Sequence, residues 1–228
     1  MRVHQSQSRW LAIDTGWSAI VQDLKEQAQA MHEARESGLV KCRSLIQLSA
    51  RCIRHVHRRQ FEEAQELLQQ AKLVAEEARN VLRPHPALEH AGYLHDAEKE
   101  MVEAAAVLAI VHDRPYPGAD ELKVGLMAYL NGMGEAASEV RRFALDEIRR
   151  GKMEEGERIL ERMESIYDDL ITFDYSDSMT GGLRRTCDAL RAVIERTRSD
   201  LTSTASQWAL VQQLERTRTA IEEVNRED

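Results

Sequence analysis

Two pairs of glutamates stand where a carboxylate is costly. Glu100 precedes, and Glu103 interrupts, an apolar run from Met101 to Val111 in which Glu103 is the single charge. A second apolar run, Val124 to Ser138, also holds one charge, Glu135, with Glu139 four residues on. On helices, spacings of three and four place both members of each pair on one face. Carboxylates in such company need something that offsets their desolvation, and a divalent cation shared by four acids from two helices does so. An all-oxygen donor set favours Mg2+ or Mn2+. Such an ion lowers the pKa of bound water and polarises a phosphoryl oxygen. The competing reading is a partly exposed helix face. It suits Glu100, which follows Glu98 and Lys99, and Glu139, which neighbours Arg141 and Arg142. It suits Glu103 and Glu135 poorly, because their immediate neighbours are apolar. A di-iron bundle requires Glu-x-x-His on two helices, and none of the eight histidines has a glutamate three residues before it.

The second constellation is basic. From Lys41 through Phe61 there is no acid, while Lys41, Arg43, Arg51, Arg54, His55, His57, Arg58 and Arg59 all fall there. Arg51, Arg54 and Arg58 recur at spacings of three and four and form a cationic stripe. A helix C-terminus attracts cations in any case, which accounts for Arg59 more readily than for the stripe. In a chain of net charge −8, a segregated basic face implies an anionic partner such as nucleic acid. His55 and His57 point to different faces, which argues against a paired-histidine acid–base nuclease. Arg184, Asp188 and Arg191 can pair along one helix flank, a structural arrangement. The sequence contains no phosphate-binding glycine loop, nucleophile elbow or Cys/His zinc pattern.

The elements that position these groups are helical. Four prolines and eleven glycines punctuate 228 residues, and aromatics make up 5%, so an all-α protein with one sizeable core is expected. Residues 1–14 are weakly patterned and read as loose. Asp14 or Thr15 then caps a helix to about His57, weakened at Gly38. Further helices are expected at about 60–82, 87–112, 119–150, 153–173, 183–201 and 206–224. They are separated by the Arg83–Pro86 and Asp113–Gly118 segments, by Gly151 and by the polar turn 174–182. Seven helices on short links form an antiparallel bundle without a domain boundary. One internal echo stands out: His57–Glu63 and Arg149–Glu155 each run from a basic helix end through a turn to an acidic start. Cys42, Cys52 and Cys187 have no metal-ligand spacing and read as reduced core thiols of a cytoplasmic protein. No stretch is long and apolar enough for a membrane span.

Three segments carry a resemblance to a known family: Glu100-Met101-Val102-Glu103-Ala104, the stretch Tyr129 to Arg142, and Leu183 to Asp188. In these, and across about Ala28 to Leu201, the chain resembles the translin superfamily, which contains translin and translin-associated factor X. The resemblance implies a seven-helix bundle that assembles into hollow octamers and binds RNA or single-stranded DNA. The factor-X branch implies a metal-dependent endoribonuclease, with Glu100, Glu103, Glu135 and Glu139 holding Mg2+ or Mn2+ and serving catalysis. Glu135 stands where that branch carries an aspartate. Arg51, Arg54, His57 and Arg58 are then expected to guide the phosphate backbone, and Arg141 and Arg142 either to meet the scissile phosphate or to pair with a neighbouring glutamate. The rival expectation is a non-catalytic, translin-like scaffold whose acids are structural.

Overall fold

The computed structural model describes the backbone of residues 2–227 and the side chains of residues 16–219 and Ile221. Six long helices carry the fold: α1 (Arg2–His57), α2 (Phe61–Leu82), α4 (Tyr93–Val111), α6 (Leu126–Arg149), α7 (Met153–Leu170) and α9 (Leu183–Glu227). Single helical turns, α3 (Pro86–Glu89), α5 (Ala119–Leu122) and α8 (Asp177–Thr180), interrupt three of the links. Among the described residues there is no strand, and the fold is the expected all-α bundle.

Several expected boundaries differ, each for a physical reason. The backbone of α1 is helical from Arg2, ahead of the expected cap at Asp14 or Thr15, while the side chains of residues 2–15 lie outside the described residues. Gly38 does not break α1. A Cβ there would lie 2.5 Å from Leu82 Cδ2, so the glycine admits the end of α2 against α1. The expected helix over 87–112 is split at Gly92, whose φ of 92° no L side chain adopts easily. The one over 119–150 is split at Lys123, which is left-handed. Conversely, the gap expected between 201 and 206 is absent. Thr202, Thr204 and Ser206 donate their hydroxyls to carbonyls four residues back, so a polar run that reads as a break stays inside α9.

The core is built from alanine and leucine, which allow close helix packing. Ala64, Ala71, Ala75 and Ala78 on α2 are fully buried, as are Ala97, Met101 and Ala104 on α4 and Ala136, Val140 and Ala144 on α6. The three thiols are buried and unpaired. At Gly132 of α6, a Cβ would fall 2.6 Å from Val102 Cβ and 2.7 Å from the Lys99 carbonyl oxygen. Only glycine permits so near an approach to α4, and Glu135 follows three residues later. The preceding residue, Asn131, ties α6 to α8 and α9: its amide donates to the Met127 and Thr180 carbonyls and its oxygen accepts from the Thr186 hydroxyl.

The sequence echo is also a structural one. Arg59 and Gly151, at equivalent places in the two hairpin turns, both adopt positive φ (61° and 79°). Gly151 does so without a Cβ penalty. Arg59 is held by its ion pair with Glu147 of α6 and by lying 5.1 Å over the Phe143 ring. The α1/α2 turn is thereby fastened to the end of α6, where the second hairpin begins. Beyond this body, the first half of α1 and the last part of α9 expose Trp17, Ile20 and Leu24, and Leu210, Leu214 and Ile221. Among the described residues no helix is long and apolar enough to cross a membrane.

Candidate metal centre

Helices α4 and α6 lie side by side, and the approach at Gly132 brings their acidic faces together. One oxygen from each of Glu100, Glu103 and Glu135 can be chosen so that all three lie within 4.8 Å of one another, and all three residues are half-buried. Three of the four expected carboxylates therefore converge on one point. The fourth, Glu139, is one turn further along α6 and lies outside that trio. Its Oε1 stands 2.7 Å from His57 Nε2, at the end of α1.

The electrostatics follow from this crowding. Burial pushes the Glu103 carboxyl up to about 8, and the charges of Glu100, Glu135 and Glu139 add to the rise, opposed only in part by Lys99. Glu100 is raised by burial first and then by Glu135. Lys99 Nζ sits 2.7 Å from Glu135 Oε1. Partial burial disfavours its charge, but the hydrogen bond to Glu135 and the charges of Glu135, Glu100 and Asp96 outweigh this and raise its pKa. Among the described residues, Glu100 and Glu103 have no ion-pair partner within 4.0 Å. Carboxylate oxygens from two rigid helices, crowded around Glu103, fit a hard divalent cation.

The basic residues sort into three groups. Arg51, Arg54 and Arg58 are exposed on one stripe of α1 and make no ion pair with a described residue, as a phosphate-reading face requires. His57 is not on that face. A residue turns about 100° per step along a helix, which carries His57 from Arg58 to the flank it shares with buried Ile53 and leaves its side chain 3% exposed against Glu139. The pair links the end of the basic stripe to the acidic helix. Arg141 is engaged by Asp200 of α9 at 2.6 Å, whereas Arg142 is exposed and has no ion pair among the described residues. Of the Arg184, Asp188 and Arg191 flank, Asp188 and Arg191 approach to 3.6 Å, and Arg184 instead lines a cleft with Tyr167, Tyr175 and Asp177.

Sequence reasoning passed over Lys99, although its position four residues before Glu103 puts it on the same face. It also passed over two buried glutamates. Glu98 is 7% exposed and bonds Arg79 Nε at 2.6 Å. Glu147 is 2% exposed and faces Arg59, Arg150 and Lys152. Both occupy core positions of the helical repeat, Glu98 between Leu94 and Met101 and Glu147 after Val140 and Ala144. That spacing was the available signal.

A helical bundle that gathers carboxylates from two adjacent helices beside an unpaired basic stripe defines the class of protein. Comparison with known proteins makes the class specific. No family model matches the chain. A crystal structure of AfC3PO superposes with a TM-score of 0.77 at 31% identity, covering 82% of this chain and 97% of that one. The structure of an AfC3PO–duplex RNA complex gives 0.76 at 32%, with the same coverage. Apo-NeC3PO, at 23% identity and 0.74, shares the fold. An uncharacterised protein of Methanocaldococcus jannaschii is 29% identical over 185 residues, 80% of this chain and 81% of its own. The chain belongs to the translin superfamily.

Proposed function

We propose that the protein is a Mg2+- or Mn2+-dependent endoribonuclease that acts on RNA held inside a homo-octamer of this 26.0 kDa chain. The observation that carries the reading is the convergence of Glu100, Glu103 and Glu135, with Glu103 half-buried and without an ion-pair partner among the described residues. A fold gains nothing from three crowded carboxylates unless a cation joins them. Glu100, Glu103 and Glu135 would hold the ion, and Glu139, steadied by His57, would orient water at the edge of the trio. The ion, when bound, supplies Lewis-acid stabilisation of the phosphoryl oxygens and an activated water.

The protein's own residues do the rest. Arg51, Arg54 and Arg58 hold the backbone of the strand through its phosphates, so recognition is of charge and shape rather than sequence. Arg142, the exposed arginine beyond Glu139, reaches toward the strand, while Arg141 braces α6 against α9 through Asp200. The likeness to a C3PO bound to duplex RNA supports RNA as the partner, with single-stranded DNA as a second ligand of the same phosphate chemistry.

One observation favours the alternative of a non-catalytic nucleic-acid-binding scaffold: Lys99 and His57 already engage two of the four acids. Cleavage of a labelled RNA oligonucleotide separates the two readings. The nuclease cuts it with Mg2+ or Mn2+, and EDTA abolishes the cut. A scaffold retains the RNA on a filter and leaves it intact with either ion.

A further inference from the structure

Lys99 belongs to neither the stripe that reads phosphates nor the acids that receive a metal, and its placement is specific. It lies on the same face of α4 as Glu103, and its ammonium reaches across to Glu135 on α6 at 2.7 Å. Its side chain is only 22% exposed. Its own backbone is packed against α6, since a Cβ at Gly132 would lie 2.7 Å from the Lys99 carbonyl oxygen. Among the described residues it is the only cation within 4.0 Å of Glu100, Glu103 or Glu135.

Three converging carboxylates share one ammonium, and that ammonium meets Glu135 alone. An ammonium and a divalent ion drawn to the same carboxylate repel each other, so each weakens the other's hold on Glu135. We infer that Lys99 is the resident counter-ion of the cluster: it holds Glu135 in place before metal arrives, is released from Glu135 when a divalent ion enters, and then contacts the phosphate of the bound strand. This rests on the metal reading above and adds a second role to the same site. Lysine suits the exchange because its flexible stem carries a point charge that can swing from one oxyanion to another, where the planar fork of arginine would clamp the carboxylate. The released ammonium meets a phosphate oxygen, so charge is conserved locally: the ion replaces it at Glu135, and the phosphate replaces Glu135 at the ammonium.

The test is Mn2+ titration of the full chain, followed by electron paramagnetic resonance of free Mn2+, for the native protein, Lys99→Met and Lys99→Arg. Lys99→Met removes the competitor and should bind Mn2+ roughly tenfold tighter. Lys99→Arg keeps the fold's charge balance and should bind Mn2+ more weakly than the native chain, which preserves a reading if the methionine variant fails to fold. At saturating Mn2+, Lys99→Met should still cut RNA at least tenfold more slowly, from loss of the phosphate contact. Equal or weaker Mn2+ binding by Lys99→Met, or tighter binding by Lys99→Arg, overturns the counter-ion role while leaving the metal centre standing. Tighter binding with undiminished cleavage overturns the contact with phosphate. Absence of Mn2+ binding in the native chain overturns both the inference and the metal reading beneath it.

Discussion

Glu147 and Glu103 are both carboxylates drawn into the same bundle, and the fold treats them in opposite ways. Glu147, 2% exposed at the end of α6, is met by Arg59 from the first hairpin turn, by Arg150 and by Lys152. Glu103, on α4, is met by Glu100 and Glu135, with Glu139 acting from further off and Lys99 as the opposing charge. Glu98 follows the Glu147 pattern, paired with Arg79. Where a buried acid serves the structure, the chain supplies arginines for it. At Glu103 it supplies more acids. That contrast separates a brace from a site within one protein, and burial alone does not, since Glu147 is the more buried of the two.

The contrast can be broken most forcefully at Glu147. Glu147→Gln should strand Arg59 in its left-handed turn and lower stability by about 2 kcal/mol, on the order of 6 °C in Tm, discounted because Arg150 and Lys152 are half-exposed. Calorimetric melting checks it. The opposite sign is expected at Glu103. Its folded pKa of about 8 lies above the ordinary carboxyl value of 4.5. The folded state therefore holds a proton that the unfolded chain has lost between those values. The stability that Glu103 contributes without metal should be fully present below pH 4.5 and be lost as pH rises through 8. Glu103→Gln should remove that slope and leave the metal-free protein more stable than the native one at pH 8 by on the order of 1–2 kcal/mol. Melting curves of the native protein and Glu103→Gln across pH in a chelator decide the point, and a stability difference between them that does not change over this window contradicts it.

The cations sort by the same rule, so those without acids should read RNA. Arg54→Glu with Arg58→Glu should weaken RNA binding by roughly tenfold or more and flatten its salt dependence, with helical circular dichroism unchanged. Filter retention at several salt concentrations measures this, and unchanged affinity would move the RNA path elsewhere. The smallest effect belongs to Arg141, which Asp200 already holds at a half-exposed position. Arg141→Ala should change stability and RNA affinity by less than about 0.5 kcal/mol. A large loss of affinity would place Arg141 on the strand.

Much of this was legible in the sequence, and the reasons differ by region. The two acid pairs and the cationic stripe could be read because charges inside apolar or acid-free runs are rare, and spacings of three and four fix them on a face. The family was legible from the segments around Glu100, Glu135 and Leu183. The continuity of α9 was not, because hydroxyls bonding back four residues look in sequence like a turn. Nor was the inward turn of His57, which sits among basic residues that face outward and differs from them only in helical phase. Glu98 and Glu147 were hidden for a similar reason: they stand among other charges in sequence, and Arg79 and Arg59 reach them only through tertiary packing.

The claim at the centre of the account is that the unneutralised acids exist to do metal-assisted phosphodiester hydrolysis. The direct measurement is RNA cleavage by Glu103→Gln beside the native protein at saturating Mg2+, with the product ends identified. The substitution keeps shape and volume, so RNA binding should survive while the rate falls by orders of magnitude. Native products should carry 5′-phosphate and 3′-hydroxyl ends, because water rather than the ribose 2′-hydroxyl attacks. Cleavage by Glu103→Gln at the native rate, or products ending in 2′,3′-cyclic phosphate, would contradict it.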